Sequence, residues 1–440
     1  MKPDDQTSPI RVGMLGLGTV GSGVAAVLEE KREALARRVG RPIELVRVLV
    51  RDPSKRRPVS IPRALLTTNP GDVIDSADID VVVEVLGGID PAYEYVRRAL
   101  ESGKHVVTAN KEVIAHYGLD LLKVAQENGR DLFFEASVGG GIPLIGLFRQ
   151  DLAANEITEI HAIINGTTNY IMTRMSQDGA DFDVALKEAQ KKGYAEPDPT
   201  NDIDGNDAAY KLAILASLAF GGPVPPQKVY REGVRQLEAV DFDYARELGY
   251  VVKLLAISKK SADGVEVRVH PALVTKDFLL SQVSGVENAV RIKGDLLGHA
   301  VFAGRGAGSG PTSSAIVADL IDLAHNINCG AHARVPVRYD EGLVIKPMAD
   351  VISRYYFRIW VSDRAGVLAQ IGRLCAETDI SISALVQKET DASAGTAEIV
   401  ILTHKAREAD MQKAIAAIAE LDVVNRVATF MRVEDLTEDN

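Results

Sequence analysis

The chain has 440 residues, 46% hydrophobic and 25% charged, with 61 acidic against 50 basic side chains and a formal charge of −11. At roughly 100 to 200 residues per domain this predicts two or three domains, and the acidic balance argues against a nucleic-acid footprint or an anionic membrane surface. No apolar run approaches the ~20 residues of a spanning helix, the opening MKPDDQTSP has no signal-type hydrophobic stretch, and Cys329 and Cys375 are the only cysteines. A cytoplasmic protein is expected, and with no i, i+4 pair among the histidines a histidine zinc site is not.

Residues 10–16, IRVGMLG, form a β-branched apolar run, and from Thr19 the residues Val20, Val24, Val27 and Leu28 recur at helical spacing. This predicts strand, tight turn and helix, with Gly16, Gly18 and Gly21 in GxGxxG register, the arrangement that lets a backbone approach a pyrophosphate at a helix N-terminus. Further apolar runs, IELVRVLV at 43–50, VVVEVL at 81–86 and HVVTAN at 105–110, follow at helix-sized intervals. The alternation predicts an α/β, doubly wound Rossmann-type domain over about 1–150. Its ligand side collects Gly18, Arg51, Gly87, Gly88, Asn110, Lys111 and Glu135. At the end of the second strand, Arg51 with Lys55, Arg56 and Arg57 favours the 2′-phosphate of NADP, while Asp52 offers a ribose-hydroxyl acceptor. The same run also reads as a solvated basic loop.

After DLFFEA comes SVGGGIPLIG, directly following Glu135. A carboxylate beside freed carbonyls suits a hard cation, and a simple turn explains the glycines equally well. From Ile157 longer helices and apolar strands predict a second, α+β domain over 151–310. Its most informative stretch is Ala189–Lys211, in which a helix ends, an acidic loop with two prolines follows, and a new helix carries Asp207 and Lys211 at i, i+4. Such a pair is either an ordinary helix ion pair or a proton donor oriented by a carboxylate, suited to protonating a carbonyl oxygen as hydride arrives.

That block reads A-x-x-x-G-Y-A, then D-P-x-x-D-I-x-G-x-D-x-x-x-K, and resembles the signature of the homoserine dehydrogenase family. GLGTVG, VVVEVLGG, TANK, FFEASVGGGIP, INGTTNY and GRGAG extend the resemblance over about 10–335. It implies reversible NAD(P)H-dependent reduction of aspartate semialdehyde to homoserine, a step of threonine and methionine biosynthesis, with Lys211 as acid/base supported by Asp207. Lys111 is then expected beside nicotinamide and substrate, and Glu196, Asp202, Gly166 and Thr167 around the substrate. The resemblance places NADP(H), or NAD(H), on Gly16, Gly18, Thr19, Val20, Gly21, Arg51, Gly87, Thr108, Gly306 and Gly308, and a sodium ion on Glu135 with the carbonyls of Val138, Gly140 and Ile142. Residues 311–340 are expected to complete the first domain.

After a connecting stretch near 333–351, with the linker proper at 341–354, the run YYFRIWV, DRAGVLAQIGRLCAET, ISISALVQ, TAEIVILTH, an alanine-rich helix and VVNRVATFMRV has βαββαβ order. This ferredoxin-like module, 355–440, resembles an ACT domain, with Asp363, Gly366 and Leu368 at its ligand loop. The family commonly has proline where Ala365 stands and asparagine where Asp379 stands. The resemblance implies a threonine effector; a dimerisation module is the structural alternative, in a homodimer or homotetramer. Two other activities compete: a non-catalytic dinucleotide and amino-acid sensor, and thioester-forming semialdehyde oxidation, for which neither cysteine is well placed.

Overall fold

The computed structural model describes residues 8–332, 342–388 and 395–435. The first seven residues and the part of the expected connecting stretch from 333 to 341 lie outside the described residues. The chain divides into two compact units, one holding the residues up to Glu156 with Ala213–Pro226 and Phe302–Leu343, the other Ile157–Leu212, Gln227–Val301 and the residues from Val344 onward.

The first unit is the expected Rossmann-type sheet. Strands β1 (Ile10–Leu15), β2 (Ile43–Leu49), β3 (Leu66–Thr67), β4 (Val81–Glu84), β5 (His105–Thr108) and β6 (Leu132–Phe133) are parallel, in the order β3-β2-β1-β4-β5-β6. The strand order reverses at β1, so a crevice opens beyond its carboxyl end, between β1 and β4. Strands buried on both faces need unbroken apolar runs, and Val81, Val82, Val83, Val106 and Val107 are all fully buried. The helix Ser309–Asn328 returns to this core through Ile316, Leu320 and Leu323, each worth ~1.5–3 kcal/mol of transfer free energy.

The second unit is built on one 11-stranded sheet. In chain order its strands are β7 (Ile157–Ile163), β8 (Tyr230–Arg231), β9 (Tyr250–Ser261), β10 (Gly264–Thr275), β11 (Glu287–Gly294), β12 (Gly298–Arg305), β13 (Ile352–Ser362), β14 (Ile382–Lys388), β15 (Thr396–Thr403), β16 (Ala406–Arg407) and β17 (Val424–Glu434). The main path is β12-β11-β7-β9-β10-β17-β13-β15-β14. Strands β13, β14, β15 and β17 with the helices Val367–Glu377 and Glu408–Ala419 form the expected βαββαβ module around Phe357, Ile371, Ile399, Met411 and Ile418. Asp379 has φ 58°, a left-handed conformation that asparagine, the residue usual in ACT domains, adopts more readily.

The module does not stand apart from the strands before it. Its last strand pairs in parallel with β10, Ala272 opposite Arg432 and Val274 opposite Glu434, which continues the sheet across the junction. Buried charges close the seam. Arg432 donates to Glu232 at 2.7 Å and pairs with Glu408, Arg268 meets Glu434 at 2.7 Å, and Lys259 meets Glu434 at 2.8 Å. Cations this deep are tolerated only when paired with carboxylates, as Arg432, Arg268 and Lys259 are here.

Candidate active site

The GxGxxG turn has the geometry that dinucleotide binding asks of it. A side-chain carbon at Gly16 would sit 2.9 Å from the Val85 carbonyl oxygen, and one at Gly21 would sit 2.5 Å from the Gly16 carbonyl, so both glycines permit close packing. At Gly18 nothing lies within 4 Å, leaving the turn open where a pyrophosphate would lie. Thr19 and Val20 begin the helix Thr19–Glu30, and their carbonyls accept from Ser309 Oγ at 3.1 Å and Ser313 Oγ at 3.3 Å. Ser309 follows directly on Gly308, so the late GRGAG segment lies beside the glycine turn.

A cavity of about 520 Å³ runs from Gly16 and Gly18 past Arg51, Asp52, Lys55 and Arg57 on one side and Leu86 and Gly87 on the other. Its shape and lining fit a dinucleotide. Asp52 is turned into its own loop, where Ser54 donates to it from both N–H (2.7 Å) and Oγ (2.6 Å), and these bonds hold its carboxyl below the usual range. Arg51 is exposed beside it. Thr108 ends β5, and Lys111 opens the helix Lys111–Glu127, whose N-terminus is capped by Asn110 accepting from Val113 N–H at 3.2 Å.

Glu135 behaves differently from a simple ligand carboxylate. Its side chain accepts from the N–H groups of Leu144, Ile145 and Gly146 at 2.6 to 2.9 Å. Burial is the main influence on its carboxyl and pushes it up, against the pull of those bonds. A cation at this loop is therefore left the main-chain oxygens, and among the described residues the carbonyls of Val138, Gly140 and Ile142 accept no main-chain hydrogen bond. Nor do the described residues hold any group of three or more His, Cys, Asp or Glu side chains arranged for a metal.

The Ala189–Lys211 block folds as helix Phe182–Lys191, a loop, the single turn Thr200–Ile203 and helix Asn206–Phe220. The short turn was not expected from sequence; Pro199 precedes it, and Asp202 and Ile203 N–H bond back to the Pro199 carbonyl. Lys211 and Asp207 are buried. Lys211 Nζ donates to Asp207 Oδ2 at 2.7 Å and to the Ile164 carbonyl at 2.9 Å.

Asn165, which sequence reasoning had not singled out, organises the site. Its amide nitrogen donates to Asp202 Oδ1 at 2.7 Å and to Asp207 Oδ2 at 2.9 Å, while its oxygen accepts from Thr168 N–H and Oγ1, both at 2.8 Å. Only this orientation of the amide satisfies two carboxylates and two donors together. An asparagine closing an apolar strand before Gly-Thr-Thr is a helix N-cap signal, and it could have been found that way. Asp202 is pushed up by burial first and by the nearby Asp207 charge second. Gly166 begins the helix Gly166–Asp178 within 2.9 Å of the Val286 carbonyl, measured from where a side chain would start, and the buried Thr167 donates to the Tyr194 carbonyl at 2.7 Å. The network thus gathers Lys211, Asp207, Asp202 and Asn165, with Thr167 beside them. Glu196 stays exposed on the loop beyond Tyr194.

In the C-terminal module, Val361 to Leu368 with Gln387 and Ile399 line a small cavity of about 160 Å³ that includes all three expected loop residues, Asp363, Gly366 and Leu368. Cys375 is buried and Cys329 exposed at the end of its helix. Neither joins the Lys211 network. No helix among the described residues is long and apolar enough to cross a membrane.

A dinucleotide fold and a buried lysine–aspartate pair in one chain define an NAD(P)-dependent oxidoreductase, here carrying a C-terminal βαββαβ module. Comparison with known proteins gives the particular family. The family model for homoserine dehydrogenase matches residues 143–321, that for the homoserine dehydrogenase NAD binding domain 16–135, and that for the ACT domain 355–423. The homoserine dehydrogenase of Neisseria gonorrhoeae is 45% identical over 97% of this chain and 99% of its own length; that of Bacillus subtilis is 41% identical over 97% and 98%. The crystal structure of a homoserine dehydrogenase from Thiobacillus denitrificans superposes with a TM-score of 0.91 at 46% identity, covering 98% of this chain and 99% of that one. A hyperthermophilic archaeal homoserine dehydrogenase in complex with NADPH aligns with 72% of this chain and 98% of its own, at 30% identity and a TM-score of 0.61. The chain belongs to the homoserine dehydrogenase family.

Proposed function

We propose that Lys211 is the acid/base of the reversible reduction of aspartate semialdehyde to homoserine. The observation that carries this is the pair of hydrogen bonds from its Nζ, to Asp207 and to the Ile164 carbonyl. An ammonium has three donors, and two are spent on fixing it; the third is left for a substrate oxygen. When bound, the nicotinamide supplies or takes the hydride. Lys211 gives the carbonyl oxygen a proton as the alcohol forms and takes it back in reverse, while Asp207 keeps the ammonium aimed. Asp202 and Glu196 supply anionic partners for the substrate ammonium, Thr167 and Gly166 bound the small polar end, and Lys111 faces the nicotinamide side. Single-turnover oxidation of NADPH by aspartate semialdehyde tests the reading. Lys211→Ala should bind NADPH and fail to turn over; turnover near the wild-type rate overturns it.

NADP(H) is the preferred cofactor in this reading, supported by the exposed Arg51 with Lys55 and Arg57 along the cavity, and by Asp52 being engaged with Ser54. Sodium is held at Glu135 with the carbonyls of Val138, Gly140 and Ile142. Threonine acts through the Asp363–Leu368 cavity, restraining a cytoplasmic, homodimeric or homotetrameric enzyme of threonine and methionine biosynthesis. Inhibition requires that threonine favour one state of the enzyme over another. Steady-state rates with and without threonine, for the wild type and Asp363→Ala, test this.

A further inference from the structure

The second valine-rich strand ends on a charge. Glu84, the last residue of β4, is fully buried and lies in register with Leu15, the last residue of β1. A carboxylate inside a VVVE run, with no exposure, needs a reason. Its oxygens accept from Thr108 Oγ1 at 2.5 Å, from Leu86 N–H at 2.7 Å and, more weakly, from Asn110 Nδ2 at 3.4 Å. The same Asn110 nitrogen donates to the Gly88 carbonyl at 2.7 Å, and Asn110 N–H donates to Thr108 Oγ1 at 3.0 Å. One carboxylate therefore ties the turn at Leu86–Gly88 to the end of β5 and to the start of the helix that opens with Lys111.

These tied segments border the dinucleotide cavity. Leu86 and Gly87 line it opposite Arg51. With the 2′-phosphate end at Arg51, on the β2 side, and the pyrophosphate at the glycine turn after β1, the other half of a dinucleotide crosses to the β4 and β5 side. That half is the nicotinamide. Burial pushes the Glu84 carboxyl above its ordinary range, and the donors from Thr108, Leu86 and Asn110 pull it back down; every hydrogen-bond partner is a donor, the arrangement that suits the ionised form, and among the described residues no cation pairs with it.

We propose that Glu84 is a positioning residue for the nicotinamide half of the cofactor, and that its buried negative charge selects the oxidised, positively charged ring over the reduced, neutral one. The inference rests on reading the cavity as the dinucleotide site. Glu84 touches neither substrate nor hydride; it acts by holding Leu86, Gly87 and Thr108 and by its field. Among the described residues the charge meets hydrogen-bond donors and no cation, and the nicotinamide cation of NADP⁺ is the partner that offsets it. At a low effective dielectric and short range such a pair changes affinity by about tenfold.

Titration calorimetry of NADP⁺, NADPH and 2′-phospho-ADP-ribose, the fragment lacking nicotinamide, tests the proposal on wild type, Glu84→Gln and Glu84→Asp. Glu84→Gln should weaken NADP⁺ by about tenfold and NADPH by less than about threefold, with fragment affinity unchanged. Glu84→Asp keeps the charge and shortens its reach, so both full cofactors should weaken together with their ratio held. Equal losses of NADP⁺ and NADPH in Glu84→Gln, or fragment loss as large as the NADP⁺ loss, overturn it. Failure of all three probes to bind the wild type would instead overturn the reading of the cavity. Should Glu84→Gln not fold, Thr108→Val removes one donor from the anion and should shift the NADP⁺ to NADPH ratio the same way, by about threefold; an unchanged ratio overturns the proposal.

Discussion

Arg358 Nε donates to Asp241 Oδ1 at 2.7 Å, and neither side chain has any exposed surface. The arginine lies on β13 of the C-terminal module and the aspartate in the first turn of the helix Ala239–Glu247, so this bond fastens the module to the strands and helices before it. The same guanidinium reaches Glu398 at 2.6 Å and Glu238 at 2.8 Å. Replacing Arg358 by leucine strands buried carboxylates without their cation and should cost about 3 to 5 kcal/mol. Urea unfolding followed by circular dichroism checks it; a loss below about 1 kcal/mol would show that the carboxylates find other partners.

Asp207→Asn keeps the shape of the lysine cage and removes its charge. Turnover should fall by at least about 100-fold, as expected when proton transfer loses its oriented donor, while NADPH affinity stays within about twofold of wild type because the cofactor cavity is untouched. Stopped-flow hydride transfer and fluorescence titration of NADPH measure the two quantities separately.

Arg51→Ala should raise the NADPH dissociation constant by about 10 to 100-fold, the worth of a lost charge-assisted hydrogen bond to phosphate. NADH, with no 2′-phosphate, should change by less than about threefold. Equal losses would show that Arg51 does not read that phosphate.

His161 stands on β7, fully buried, 3.7 Å from Glu434, and burial drives its pKa down from 6.5 to about 4. The native state thus refuses a proton that the unfolded chain accepts. Its contribution is intact above about pH 6.5 and is lost as pH falls from there toward 4, reaching about 3 kcal/mol at the lower end. Glu434, held well below its ordinary range chiefly by Arg268 and Lys259 against the opposing effect of burial, erodes stability in the same direction only below about 4.5. His161→Met should therefore flatten the fall in unfolding midpoint between pH 6.5 and 5. An unchanged slope in that window would assign it to another group.

Much of the fold is legible in sequence because its signals are local. The valine runs 81–83 and 106–107 declare strands buried on both faces, and the glycines at 16 and 21 declare a turn packed too closely for a side chain. Lys211 and Asp207 are legible as a pair because one helical turn separates them. Asn165 and Glu84 were harder: each acts by joining segments far apart in the chain, Asn165 with Asp202 and Asp207, Glu84 with Thr108 and Asn110. The charge ending a valine strand was nevertheless visible. The pairing of β17 with β10 left no mark in periodicity, since an apolar alternating strand carries no address for its neighbour. Glu196 illustrates the converse case, a residue named by its motif that is exposed on its loop, so that packing alone would not have singled it out.

The seam between β10 and β17 bears on how the protein is made. Arg268 and Lys259 emerge from the ribosome long before Glu434, the carboxylate both of them require. β8 already covers Arg268 and Val269 of β10, but until the last strand arrives Ala272–Val274 keep open backbone groups, the kind of edge that recruits strands from other chains. A nascent chain stalled or clipped before Val424 thus lacks more than its C-terminal module. It also leaves Arg268 and Lys259 without the carboxylate that pairs with them, beside an open stretch of β10.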